Sequence, residues 1–517
     1  MRAVEHTTAS FGYDGGMPCP RSSRVRFHAV LLALAALPAH AEREWHGVTT
    51  GNVRVVSAMN AAQTERMAAD VELYFEAAKR IIERPNIRPL VPLTIVALDR
   101  SLWLKAVDQT GNFGGFFLAH RGSADIVVDG SSWKYNSGVV FHELTHMVLN
   151  QNDPVRALPS WYHEGHADLL STVEIENGLL KFGRHPPKRW ATLQVLPWLP
   201  LEKVLTTRLA EIHGREDMAV FYGQSWLIVH HAVFENPARN EQLHRYRQLL
   251  TAGVEAHAAF KSVFGAQANA YEKELSLYGR RSKFKYITLP IESLDVQKPE
   301  ARKLSETDGL NALGRSLLDS NRTDERDIEF LKGLAKAGAP DSVAVLQYAN
   351  VLIRHGEVST AKPLVEAGCV APNAMRIAVL CGDAYWQQFS AKKDKPNAPS
   401  ADLSFVERAR KFYDVALQLD PDNLELLLSV ADTFKALPGD SAAVRGSLES
   451  ALQRDANNSW IAASLSDLYR PTDLIKARDY MERAVLTAPN EKWETFYAQV
   501  LNRIGSELAA QPQSVQP

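Results

Sequence analysis

Apolar residues recur along the chain with two different periods, and each change of period marks a new element. Between 56 and 83, Met67, Val71, Tyr74, Ala78 and Ile81 recur every three to four residues, the spacing of one helix face. Pro85 and Pro89 end that helix. Leu93 to Leu98 is an unbroken apolar and β-branched run and predicts a strand. Gly111 to Gly115 marks a loop. Phe116 to Ala119 and Ala124 to Val128 predict a strand pair around His120–Ser123. Residues 137–150 predict a helix whose apolar side is Val139, Val140, Leu144, Met147 and Val148. A loop with Pro154 and Pro159 follows, then a second helix over 162–173. Pro186, Pro187, Pro197 and Pro200 make 185–200 a loop or lid. The helical period returns over 217–280, and 281–305 is expected to be a linker.

Beyond 305 the pattern repeats itself. Ala416-Leu417-Gln418-Leu419-Asp420-Pro421 recurs in outline as Ala451-Leu452-Gln453-Arg454-Asp455-Ala456, and a third copy starts at Ala484 and reaches Pro489. Ala409, Tyr413, Ala416 and Pro421 follow the same small, large, small, Pro order as Ala477, Met481, Ala484 and Pro489. This period resembles that of tetratricopeptide repeats. The resemblance implies an all-α solenoid over 306–500 whose surface binds a protein partner. Residues 501–517 are expected to form a disordered tail.

The first 41 residues read as a secretory signal. Arg21, Arg24 and Arg26 precede the apolar run Ala29 to Leu37, and Ala39-His40-Ala41 fits a small-x-small cleavage point. The remaining chain has no apolar stretch long enough to span a bilayer, so a secreted or periplasmic protein is expected. Met17 would start a signal of ordinary length. Composition narrows the function further. Lys and Arg total 58 against 60 Asp and Glu, for a net charge of −2, which excludes a generally basic nucleic-acid-coating protein. Three cysteines exclude a disulfide-built scaffold and a Cys-rich zinc module. Cys19 leaves with the signal; Cys369 and Cys381 either pair or stay as two buried thiols.

Histidine carries the chemistry: ten of the 16 fall between His142 and His257. His142-Glu143-Leu144-Thr145-His146 places two imidazoles at i and i+4 on one helix face, where both reach one zinc ion (Zn2+). Glu143 stands beside that ion as general base for a zinc-activated water. Zinc needs a third protein ligand, and the candidates are Glu164, His163 and His166.

The stretch Trp161-Tyr162-His163-Glu164-Gly165-His166-Ala167 resembles the Trp-x-x-Glu-Gly-x-Ala signature of gluzincin metallopeptidases at Trp161, Glu164, Gly165 and Ala167. The resemblance covers about residues 50–280 and is specific around 137–170. It implies an α+β zincin-like metallopeptidase domain over 42–280, followed by the all-α repeats. It implies His142, His146 and Glu164 as zinc ligands, Asp168 as the partner that orients His142, and peptide or protein as substrate. Related enzymes take the donor to the oxyanion from a Tyr or His after the third ligand; the resemblance offers Tyr222, in Phe221-Tyr222-Gly223-Gln224-Ser225-Trp226, with His230 and His231 as the alternatives, and favours Tyr222. Ala124 to Val128 would be the edge strand that pairs with extended substrate. The Gly-Ala-Met-Glu-Asn segment of the large aminopeptidases has no counterpart. The competing reading is a non-catalytic tetratricopeptide adaptor with a structural or vestigial metal site. Hydrolysis of a non-peptide amide would use the same ligand set.

Overall fold

The computed structural model describes residues 43–107, 114–152, 159–319, 325–337, 342–372, 374–393, 402–489 and 491–510. The expected signal peptide and the loop around Pro154 lie outside the described residues.

The N-terminal half is built on a mixed sheet. Strands β1 (Trp45–Thr50), β2 (Val53–Ser57), β3 (Leu93–Leu98), β4 (Gly115–Ala119) and β5 (Ala124–Asp129) are joined by the later β9 (Arg302–Leu304) in the order β4-β5-β3-β2-β1-β9. β2, β3 and β5 run parallel, while β4, β1 and β9 are antiparallel to their neighbours. One face packs on α1 (Ala61–Ile81) and on α3 (Trp133–Asn152) through Val55, Ile95, Ile126, Phe75 and Phe141. The other face holds α2 (Arg100–Ala106) and, from the later part of the chain, α11 (Glu306–Asp319), around Val96, Val127, Trp103 and Leu313.

Behind α3 comes α4 (Ser160–Leu170), then strands β6 (Glu174–Glu176) and β7 (Leu179–Phe182), which form a small sheet with β8 (Ile287–Pro290). Helices α5 (Pro187–Val195), α6 (Leu201–Thr206), α7 (Arg215–Phe234), α8 (Pro237–Thr251), α9 (Ala256–Val263) and α10 (Ala268–Gly279) complete this half.

The C-terminal half is helical throughout. After α11 come α12 (Glu325–Ala337), α13 (Val343–Arg354), α14 (Val358–Gly368), α15 (Met375–Lys393), α16 (Ser404–Leu419), α17 (Leu424–Ala436), α18 (Ala442–Arg454), α19 (Ser459–Tyr469), α20 (Leu474–Leu486) and α21 (Glu491–Ala510). Successive helices pack on one another in a line. The repeat positions are equivalent in space: Ala416, Ala451 and Ala484 are buried near the ends of α16, α18 and α20, and Tyr413 and Met481 are buried one turn earlier. Among the described residues no helix is long and apolar enough to cross a membrane.

Six expectations need correction. The helix expected over 56–83 starts at Ala61, because Asn60 caps it reciprocally with Gln63 and the preceding Val53–Ser57 pairs as a strand. The helix expected over 162–173 ends at Leu170. Ala124 to Val128 is no edge strand: β5 lies between β3 and β4 and is buried along its whole length, so β4 is the edge. The proline-rich 185–200 contains a helix, α5, because Pro187 occupies its first turn, where no backbone donor is required. Residues 281–305 are not a free linker, since β8 pairs with β7 and β9 with β1. The tail expected from 501 is helical to Ala510, because Ile504 is buried and Leu501 and Leu508 pack beside it. Cys369 and Cys381 form a disulfide between the end of α14 and α15, with Cα atoms 5.8 Å apart.

Candidate metal centre

Helix α3 is fixed before its chemistry begins. The Trp133 indole donates to Asp70 Oδ2 at 2.8 Å, and the Tyr74 hydroxyl lies 2.9 Å from Thr145 Oγ1, both tying α3 to α1. Phe141, Leu144 and Val148 enter the core. The opposite side of the helix is therefore left with His142, Glu143 and His146. His142 is buried, and Glu143 and His146 are half-buried.

The third group comes from α4, which crosses α7 so closely that only glycine fits between them. A Cβ on Gly165 would sit 2.4 Å from the carbonyl oxygen of Ser225. That contact holds α4 at a depth where Glu164 meets both imidazoles. His142 Nε2 and His146 Nε2 are 3.1 Å apart, and each lies 3.5 Å from Glu164 Oε2. The three atoms form a near-equilateral triangle. Ligands of a tetrahedral zinc stand about 3.3 Å from each other, given metal–ligand distances of about 2.0–2.1 Å. Two further features fit a cation. Glu164 Oε2 is buried and receives no well-formed hydrogen bond. Two imidazole nitrogens also face one another, which leaves a shared site where at least one offers a lone pair. Among the described residues His142, His146 and Glu164 are the one group of three side chains gathered this way.

Charge is arranged around the triangle. Burial works against protonation of His142, but Asp168 and Glu164 outweigh it and push the imidazole up to about 10. Burial likewise works to raise the Glu164 carboxyl, and the two imidazoles overcome it and hold the carboxyl well below its usual range. Burial raises Glu143, against the pull of His142 and His146.

No protein-family model and no curated protein sequence matches the chain. Among solved structures it is similar to TTC0263, a thermophilic TPR protein of Thermus thermophilus, at 20% identity over 38% of this chain and 99% of that one, with a TM-score of 0.29. It is also similar to a mutant of MamA at 16% identity over 34% of this chain and 95% of that one, with a TM-score of 0.25.

The other histidines of this region stand outside the triangle. The His166 ring turns to the other side of α4, where Nδ1 lies 2.8 Å from the Tyr162 carbonyl oxygen. His163 stands beside His146, ring centroids 5.8 Å apart, outside the triangle. Burial and the neighbouring His146 push His163 down to about 3, so it stays neutral. His230 is structural: its two nitrogens lie 2.8 Å from the Tyr278 hydroxyl and 2.7 Å from the Gly183 carbonyl oxygen.

Asp168 lies one turn beyond Glu164 and faces His142, with Oδ1 3.4 Å from Nδ1. Tyr222, on α7, is buried. Burial, then the negative charge of Glu164, raises its phenol far above the ordinary value, so it remains a donor. Sequence reasoning missed Arg189. From α5 its Nε donates to Asp168 Oδ2 at 2.7 Å, and its guanidinium lies 4.4 Å over the Tyr222 ring. One arginine thus braces two candidate site residues. The proline density of its segment reads as a loop or lid, and nothing in the local spacing ties Arg189 to Asp168.

Proposed function

We propose that the chain is an exported, zinc-dependent peptidase whose helical array contacts protein partners. The observation that carries this is the triangle of His142, His146 and Glu164, with Glu143 one residue along the same helix. His142, His146 and Glu164 would hold zinc, which would supply a Lewis acid and lower the pKa of a bound water. Glu143 takes up the proton and returns it to the leaving amine. Asp168, itself held by Arg189, fixes which nitrogen of His142 carries the proton. The Tyr222 phenol donates to the carbonyl oxygen as it gains negative charge. An extended substrate pairs along β4. The bonds from His120 N to Ser123 O and from Asp129 N to Gly114 O turn the main chain of Gly115, Phe117 and Ala119 away from β5. Export is supported by the N-terminal Arg, apolar and Ala39-His40-Ala41 order and by the Cys369–Cys381 disulfide.

The test is zinc content together with cleavage of a casein-type substrate by residues 42–517 and by the Glu143→Gln variant. Wild type is expected to hold about one zinc per chain and to cleave, and the variant to hold zinc without cleaving. A wild type without zinc defeats the reading.

A second reading, a non-catalytic scaffold of tetratricopeptide type with a structural metal, is favoured by the equivalently buried repeat alanines Ala416, Ala451 and Ala484. Zinc in both proteins with cleavage by neither supports it.

A further inference from the structure

The four residues between β4 and β5 are buried or half-buried. They enter the helical array and engage three of its helices. Arg121 forms an ion pair with Asp432 of α17, and its Nη2 donates to the Leu428 carbonyl oxygen at 3.2 Å. Its own carbonyl oxygen accepts from Asn458, the cap of α19, at 3.5 Å. Gly122 lies against the start of α17, where a Cβ would be 2.7 Å from the Glu425 nitrogen and 2.9 Å from Leu424. Ser123 Oγ accepts from Arg315 of α11 at 2.7 Å, and the same guanidinium reaches Glu425 at 3.0 Å. Ser316 of α11 donates to the buried Asp125 at 3.0 Å, and His120 lies 3.3 Å from the same carboxylate.

The receiving surface is acidic without its guest. Lys435 bridges Asp432 at 3.1 Å and Asp467 of α19 at 2.6 Å, so two carboxylates share one lysine until Arg121 arrives. Burial would raise the Asp432 carboxyl, and Arg121 with Lys435 holds it below its usual range.

Among the described residues β4 is the outermost strand of its sheet and pairs with β5 alone. It borders the metal-centre helix: Phe117 packs on the α3 side of the sheet, and a Cβ on Gly114 would meet the side chain of Asn136 at 2.5 Å. A strand held along one edge depends on its ends for position.

We infer that the array binds the Arg121–Gly122 turn as an intramolecular ligand and thereby positions β4, so that occupancy of this acidic surface and peptide pairing at β4 are coupled. Arg121 is a positioning residue. The consequence for substrate rests on the peptidase reading; the clamp does not. Any partner that takes Asp432 must first displace Arg121, and displacement frees β4.

The test uses the full chain from residue 42 and three variants: Arg121→Ala, Asp432→Ala and the double substitution. Hydrogen exchange is read at the β4 amides of Phe116 and Leu118, alongside zinc content and KM and kcat on a casein-derived peptide. Each single variant is expected to speed exchange at β4 about tenfold or more, with the double adding little, because both remove one charged contact. Exchange in α3 and zinc content stay at wild-type values, and KM rises while kcat holds. Arg121→Lys, which keeps the charge and loses the fork, falls between and covers the case in which the alanine variants fail to fold. Unchanged β4 exchange in a folded variant overturns the inference. Faster β4 exchange in a chain without peptidase activity upholds the clamp and removes only its link to substrate.

Discussion

Asp168 Oδ1 lies 3.4 Å from Nδ1 of His142, while the other nitrogen of that ring faces His146 and Glu164. One carboxylate thus directs the ring from the side away from the His142, His146 and Glu164 triangle. Asp168→Asn is expected to weaken zinc affinity by about 10- to 100-fold with the fold intact. Competition with a chelator of known affinity measures it. An unaltered zinc affinity would leave Asp168 a purely structural partner of Arg189.

The Tyr222 phenol is expected to act on the transition state and not on zinc. Tyr222→Phe should lower kcat by about 100-fold, with zinc content and KM near wild type. A variant of unchanged kcat would return the role to another donor.

Gly165 is expected to tolerate no side chain. A methyl group there meets the Ser225 oxygen at 2.4 Å and Val229 Cγ2 at 2.6 Å, so α4 must move away from α7. Gly165→Ala should cost about 1–3 kcal/mol in urea unfolding. Because Glu164 is the preceding residue, zinc affinity should fall as well. Wild-type stability in this variant would show that the two helices can separate without cost.

Asp70 gives stability a pH dependence of unusual sign. Burial raises its carboxyl to about 6, against the Trp133 hydrogen bond and Arg66, from an ordinary value of 3.8. The folded state therefore binds this proton more tightly than the unfolded one. The contribution is complete below the ordinary value and is lost as pH rises through about 6. By linkage it amounts to about 3 kcal/mol. Asp70→Asn keeps an acceptor for Trp133 and should be the more stable protein at pH 8. Urea midpoints between pH 4 and pH 8 decide it, and parallel curves for the two proteins would refute it.

The Cys369–Cys381 bridge closes a short loop between α14 and α15. Residues 42–517 should titrate no free thiol before reduction. Reduction should cost about 3 kcal/mol, the loop entropy of a bridge of this span. Two reactive thiols in the denatured, unreduced protein would exclude the bridge.

The pairing of His142 with His146 was legible in the sequence because it is local: four residues are one helical turn, and the flanking Val140, Phe141, Val148 and Leu149 say which side is buried. The central strand Leu93 to Leu98 and the pair Phe116 to Ala119 and Ala124 to Val128 were legible as strands, and the repeats as near-equal spacings of alanine, for the same reason, whereas Trp45–Thr50 and Val53–Ser57 were not. Glu164 was reached by resemblance, and its meeting with the imidazoles depends on α4 crossing α7 at Gly165. Tertiary structure alone decided the rest. Arg189 reaches Asp168 across 21 residues, and Arg121 reaches Asp432 across 311, distances at which no periodicity operates. The edge strand followed the same rule. Ala124 to Val128 and Phe116 to Ala119 are both apolar runs, and which of them lies outermost depends on what else pairs with them. Within 281–305, Ile287–Pro290 and Arg302–Leu304 carry too little hydrophobic pattern to announce strands, and they are strands by pairing with β7 and β1. Local spacing determined the chemistry this chain can hold; the packing of distant segments decided where that chemistry sits and what holds it in place.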